Sequence, residues 1–80
     1  MILEKLQQVF LQVFENKNIA INRNSSPANI DGWNSLNHVL LINEIENAFH
    51  IQFSLDEMIE LSNVGDIIDC IEKKNQTSSL

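Results

Sequence analysis

The chain has 80 residues, 44% of them apolar, and a formal net charge of −6 at pH 7. This length fits one small domain, and the apolar fraction indicates a folded chain. A core this small leaves little space for a deep catalytic cleft, which favours a carrier, binding or interaction role over an enzyme.

The charge distribution and the single cysteine exclude several kinds of partner and site. Residues 1–40 are neutral overall, so the net charge lies in residues 41–80, where it disfavours a nucleic acid partner by repelling phosphate backbones. Cys70 is the only cysteine, which predicts no disulfide and no thiolate metal cluster. No signal peptide or long apolar run is recognised, so we expect no membrane partner and a cytoplasmic location.

The first part of the chain reads as a helix followed by a long loop. Residues 2–15 place apolar side chains at helical spacing, which predicts a first helix that ends near Asn16. Residues 17–34 have no helical period and contain Pro27, Gly32 and five asparagines, which predicts a loop. Three isoleucines interrupt its polar sequence, so we expect the loop to lie over the core.

Residues 35–49 are predicted to form the second helix. Asn34 or Ser35 is expected to cap it, because the side-chain oxygen of either residue accepts hydrogen bonds from free N–H groups at a helix start. Helical spacing places the following apolar residues on the inward face: Leu41, Ile42, Ile45, Ala48 and Phe49.

Two capping patterns open the remaining helices. Ser54 followed by Glu57 is a capping box, which predicts a short third helix. Asn63 followed by Asp66 repeats this spacing before a fourth helix. That helix is expected to end near Lys74, since a basic side chain suits the negative end of the helix dipole.

These elements predict an all-α fold, a four-helix bundle with a short third helix and a long first loop. The sequence contains no strand alternation and no internal repeat. The domain is expected to span residues 1–74, and residues 75–80 are predicted to form a disordered polar tail.

Ser35 is the residue whose position suggests chemistry. A serine at the mouth of a helix, directly after a turn, is expected to be exposed and within reach of a modifying enzyme. A phosphodiester attached there would lie at the positive end of the helix dipole, which favours an anion. The residues alone leave open the alternative that Ser35 only caps the helix.

Three segments carry a resemblance to a known family. Residues 33–36 (Trp-Asn-Ser-Leu) occupy the position of a signature that opens a second helix. Residues 45–51 resemble the segment that closes that helix, and residues 63–68 resemble the start of the last one. Over residues 2–74, the chain resembles the acyl carrier proteins.

The resemblance implies a function and a cofactor. It implies that a phosphopantetheinyl transferase attaches 4′-phosphopantetheine to Ser35, which makes the chain a phosphoprotein. It further implies that the arm holds cargo as a thioester and presents it to acyl-loading and acyl-transfer enzymes of fatty acid or polyketide biosynthesis. The carrier is expected to be a monomer and not itself an enzyme.

The chain departs from the family pattern in two ways. Asn34 stands where the family usually has aspartate, and the missing charge is expected to slow modification or to require a matched transferase. Leu36 and Leu40 are expected to be exposed beside Ser35, so partner docking should depend on apolar contact. Acidic side chains are predicted to steer partners more weakly: Glu44, Glu46, Asp56, Glu57 and Glu60. The alternative for Leu40 is that it packs against the long loop.

The remaining distinctive side chains have structural interpretations. His38 and His50 lack a third ligand, so neither a metal site nor a catalytic role is predicted for them. Trp33 is expected to anchor the loop, and Cys70 to be a small core residue.

Two other functions remain open at this stage. The first is an unmodified interaction bundle of the same fold, which Asn34 supports. The second is an aminoacyl or peptidyl carrier.

Overall fold

The computed structural model describes residues 2–14 and 18–78, with side chains described as far as Lys74. Within these residues the chain forms four α-helices and no strand: α1 (Ile2–Phe14), α2 (Ser35–Phe49), α3 (Leu55–Glu60) and α4 (Val64–Ser78). The predicted all-α fold, with a short third helix and a long first loop, is confirmed.

The predicted ends of the first and last helices have different outcomes. α1 ends at Phe14 within the described residues, and the ends predicted at residues 15 and 16 fall outside them. α4 continues to Ser78, so the end predicted at Lys74 is wrong. Residues 75–78 contain neither glycine nor proline, and so lack the residues that most strongly stop a helix. The helix covers most of the predicted polar tail, and residues 79 and 80 lie outside the described part of the chain.

The core lies between α1, α2 and α4, with added side chains from the loop. Its fully buried residues come from all three helices: Leu6, Phe10, Leu41, Ile45, Val64, Ile67 and Ile71. Full burial of one such side chain contributes about 1.5–3 kcal/mol relative to exposure. The inward face predicted for α2 is confirmed, with Leu41, Ile42 and Ile45 buried and Ala48 and Phe49 packed against the core.

The first half of the loop is held by a side chain of α1. The Gln7 amide nitrogen donates to the Ile19 carbonyl oxygen, and the Gln7 Oε1 accepts from the Ile21 N–H at 2.8 Å. Ile21 is buried, as is Ile30 further along the loop. The loop therefore lies over the core, as its isoleucines predicted.

The same loop also contacts the start of α4. The N–H groups of Val64 and Gly65 donate to the carbonyl oxygens of Ser25 and Arg23, at 2.9 and 2.8 Å. A Cβ on Gly65 would lie 3.0 Å from the Arg23 carbonyl oxygen, so a side chain would crowd this approach. Arg23 also forms an exposed ion pair with Asp69 at 2.8 Å. Loop carbonyls thus satisfy N–H groups that a helix start leaves unpaired.

The two predicted capping patterns are present. The Ser54 Oγ accepts from the Glu57 N–H at 3.1 Å, and the Glu57 Oε1 accepts from the Ser54 N–H at 2.8 Å. The Asn63 Oδ1 accepts from the Asp66 N–H at 2.7 Å. Asp66 itself accepts from the Ser62 hydroxyl at 3.0 Å. Local sequence therefore fixes where α3 and α4 begin.

Removing the Gln7 side chain tests how strongly the loop depends on α1. Gln7→Ala is expected to lower the free energy of unfolding by about 1–3 kcal/mol, because two partly buried backbone groups lose their partners. Urea denaturation measures the difference. Gln8→Ala is the matched control, since Gln8 is exposed on the same helix. Equal losses in the two variants would contradict the role assigned to Gln7.

Candidate functional site

Ser35 is the first residue of α2, and its side chain is exposed. The cap of this helix is Asn34, whose Oδ1 accepts from the Asn37 N–H at 2.9 Å. The interpretation that Ser35 only caps the helix is therefore wrong. Its hydroxyl lies at the helix entrance without being needed to complete the first turn.

A tight turn delivers the chain to this position. Gly32 has a φ of 88°, a left-handed conformation that glycine adopts without steric cost. The Asn34 N–H donates to the Gly32 carbonyl oxygen at 2.9 Å, and the Asn37 side-chain amide donates to the same oxygen at 2.6 Å. The glycine carbonyl thus joins the turn to the first turn of α2, which fixes where Ser35 emerges.

Trp33 anchors the loop beside the serine, as predicted. Its side chain is buried at 4% exposure and meets the Phe10 ring edge-on, with 5.3 Å between ring centroids. Its Nε1–H donates to the Nδ1 of His38 at 2.9 Å. A buried indole therefore has its polar group satisfied, as aromatic anchors usually require.

His38 connects two helices. Its Nε2 lies 3.0 Å from the carbonyl oxygen of Met58 in α3. Among the described residues, no group of three or more His, Cys, Asp or Glu side chains lies close enough together to hold a metal ion. Both ring nitrogens of His38 are used in contacts within the fold.

A groove of about 440 Å³ begins at Ser35 and continues toward α3. Apolar and aromatic side chains form much of its wall: Pro27, Trp33, Val39, Met58, Ile59 and Leu61. No Asp, Glu, Lys or Arg side chain lines it. The groove can therefore receive an uncharged, flexible group attached at the serine.

Apolar side chains are exposed around the serine on two helices. Leu36 and Leu40 of α2 are 71% and 48% exposed, so the alternative that Leu40 is covered by the loop is wrong. Val39 on α2 and Leu55 and Ile59 on α3 are also at least half exposed. We call these five residues the exposed apolar face.

Sequence reasoning missed three members of this face. Val39 lies three residues after Leu36, a helical spacing that was a usable signal. The six residues of α3 are too few for its apolar residues to show a periodic pattern. The exposure of Leu55 and Ile59 therefore could not be predicted from the sequence.

The comparisons with known proteins agree with this geometry. A family model described as a phosphopantetheine attachment site matches residues 4–71. A solution structure of holo acyl carrier protein from Geobacter metallireducens matches with a TM-score of 0.87 and 39% sequence identity. The match covers 95% of this chain and 87% of that one. The chain belongs to the acyl carrier protein family.

Membership of this family establishes the type of cofactor. The prosthetic group of this carrier is 4′-phosphopantetheine. The comparison with curated protein sequences finds no significant match. None of the helices in the described part of the carrier is long and apolar enough to cross a membrane.

Two of the five acids predicted to steer partners also serve the fold of the carrier. The Glu46 Oε2 accepts from the Phe53 N–H at 2.8 Å and so holds the link after α2. Glu57 completes the capping box of α3 and pairs with the Lys74 Nζ at 2.8 Å. The other three acids, Glu44, Asp56 and Glu60, are at least partly exposed.

The hydrogen bond from Lys74 lowers the pKa of Glu57 to about 2, with a further contribution from the Ser54 N–H. Burial raises the pKa of the nearby Cys70 thiol, and the Glu57 carboxylate adds to this effect. A thiol with a raised pKa is a poor nucleophile near neutral pH. Cys70, predicted to be a core residue, is partly buried and packs against the edge of the core.

The pH dependence of stability tests the Glu57 pair. Because the pKa of Glu57 is lowered on folding, its stabilising effect is complete above the ordinary value of 4.5 and is lost as the pH falls toward about 2. Glu57→Gln is expected to reduce the free energy of unfolding by about 0.5 kcal/mol at pH 7, since the pair is partly exposed and screened.

Urea denaturation at several pH values between about 2 and 7 measures this difference. The deficit of Glu57→Gln should shrink as the pH falls through this window. Glu60→Gln is the control, because it changes an exposed acid on the same helix. A deficit that is constant over the whole range would show that the carboxylate charge contributes nothing.

Proposed function

We propose that Ser35 carries the phosphopantetheine arm and that the carrier presents acyl or related cargo on it to biosynthetic enzymes. The observation that supports this most is an exposed serine at the start of α2 whose capping role is filled by Asn34. The thiol at the end of the arm supplies the group that holds cargo as a thioester.

The surroundings of Ser35 fit a phosphate-linked arm. The N–H groups in the first turn of a helix lack acceptors within the helix, and α2 has 15 residues, so its start carries a partial positive charge. This environment favours a phosphate on the Ser35 oxygen. The groove beside the serine offers uncharged walls to the rest of the arm.

We propose that the exposed apolar face is the docking surface for partner enzymes. These partners are the phosphopantetheinyl transferase and the enzymes that load and transfer acyl groups. Residues 35–43 of α2 contain no acid, so the surface beside Ser35 is charge-poor. Glu44, Asp56 and Glu60 lie further along α2 or on α3 and supply the remaining steering. Glu46 and Glu57 add less, because each also has a partner within the fold.

A neutral Asn34 favours one alternative, the unmodified interaction bundle. The Asn34 side chain keeps the capping oxygen but adds no charge beside Ser35. The choice of an acyl cargo over an aminoacyl or peptidyl cargo rests on the family. The same is true of fatty acid or polyketide biosynthesis as the pathway and of the monomeric state. The cytoplasmic location stays a prediction from the sequence.

Attachment at Ser35 is tested by intact mass measurement. Co-expression with a phosphopantetheinyl transferase is expected to add the mass of one phosphopantetheine to the whole population. Ser35→Ala should abolish the gain, because the attachment oxygen is removed. Ser54→Ala is the matched control, since it changes another serine at a helix start and should leave the gain intact. No gain with any of several transferases would favour the unmodified bundle.

Docking is tested through the kinetics of the transferase reaction. Leu36→Ser is expected to raise KM by about tenfold or more, because the loss of one central apolar contact often costs this much affinity. KM of the wild-type carrier should change little between about 50 and 300 mM salt, because charge contributes weakly.

Leu3→Ser serves as the control for this experiment, since Leu3 is an exposed leucine on α1 that lies outside the apolar face. Its KM should equal the wild-type value. A steep rise of KM with salt, together with normal kinetics of Leu36→Ser, would mean that docking is led by charge.

A further inference from the structure

The imidazole of His38 joins three parts of the structure near Ser35. One ring nitrogen receives the indole N–H of Trp33, from the loop, and the other lies 3.0 Å from the Met58 carbonyl oxygen, in α3. The Trp33 and His38 rings are nearly parallel, with an interplanar angle of 19°. His38 itself lies one helical turn after Ser35, in α2.

These contacts require one protonation state. The Trp33 N–H is always a donor, so His38 Nδ1 must accept and carries no proton. The Met58 carbonyl is always an acceptor, so Nε2 must carry the proton and donate. Both hydrogen bonds can form together only in the tautomer with the proton on Nε2 and none on Nδ1. The walls of the adjoining groove contain no Asp, Glu, Lys or Arg side chain to compete for these hydrogen bonds.

The helix that His38 contacts is weakly packed, because Met58 alone of its six side chains packs against the core, and only in part. α3 has six residues, and none of its side chains is fully buried. Its capping box is internal, and its Glu57–Lys74 pair connects it to α4. Met58 lies in the last turn of α3, where backbone carbonyl groups have no N–H donor within the helix. The His38 hydrogen bond thus supplies a partner for that carbonyl and a tie to α2.

The exposed apolar face depends on this tie, because its members lie on both helices. Val39 of α2 and Ile59 of α3 line the groove beside Ser35. Leu40 of α2 and Leu55 of α3 line a second depression between the same helices. The face is continuous only if α2 and α3 keep their relative position.

We propose that His38 is a positioning residue that holds α3 against α2, so that the apolar side chains of both helices form one docking face beside Ser35. This inference rests on the proposed function for its consequence in docking. The contact itself does not depend on modification of Ser35.

The first test measures the protonation of His38 in the unmodified wild-type chain. Long-range proton–nitrogen NMR spectra are expected to show a single neutral tautomer with the proton on Nε2. His50 is the other histidine of the chain and is exposed, so His50→Gln identifies which signals belong to His38. Trp33→Phe should shift the His38 Nδ1 resonance, since it removes the donor. Averaged tautomers at His38 would overturn the proposal.

Two substitutions separate the two hydrogen bonds. In His38→Gln, the side-chain amide nitrogen takes the place of Nε2 and can still donate to the Met58 carbonyl. In His38→Asn, the shorter side chain offers an acceptor to Trp33 but does not extend to α3. Amide exchange in α3 should accelerate by about tenfold in His38→Asn and His38→Ala, as expected for one lost hydrogen bond. His38→Gln should stay close to wild type.

The transferase reaction then reports the consequence for docking. KM is expected to rise in His38→Asn and His38→Ala with little change in kcat, and to be rescued in His38→Gln. Unchanged α3 exchange in all three variants would overturn the positioning role. An intact NMR signature in a chain that no transferase modifies would instead refute attachment at Ser35. The two failures are therefore distinguishable.

Discussion

The hydrogen bond from the Asn37 N–H to the Asn34 side chain is the interaction on which the site depends. A helix start must satisfy its free N–H groups, and a serine in the first turn is often used for this. Here the preceding asparagine fills that role, and its neighbour Gly32 provides the turn that allows it. Ser35 is consequently left exposed at the positive end of α2, where the proposed phosphate-linked arm would be stabilised. Because Asn34 is the cap, the Ser35 hydroxyl is not needed for capping.

A long loop would be a poor support for this arrangement if it were free to move, because ordering each residue costs conformational entropy. In this carrier the loop is fixed from three directions. Gln7 holds it to α1, the backbone of residues 23–25 holds it to α4, and Trp33 holds it beside α2. The burial of Trp33 against Phe10 adds an apolar contact that stabilises the loop together with these hydrogen bonds. The position of the turn at Gly32 is therefore set by contacts along the whole loop.

Much of this fold was predictable from local sequence, because helical spacing and capping residues act over a few positions. The buried faces of α2 and α4 and the cap at Ser54 are of this kind. The end of α4 was not predictable from a stop signal, since residues 75–78 contain none. The partners of Glu46 and His38 were hidden for another reason. Each of these side chains bonds to a backbone group of another segment, and the pattern of a single sequence does not indicate which segments the fold brings together.

The chemistry around Ser35 follows from how the carrier divides its side chains between fold and surface. Residues with strong polar interactions, such as Glu57 and His38, are occupied by contacts between helices. Half of the exposed residues of α2 and α3 are apolar, and no side chain of α3 is fully buried. α3 is held by the partly buried Met58, by hydrogen bonds and by an ion pair. Its Leu55 and Ile59 are therefore not needed in the core and remain exposed.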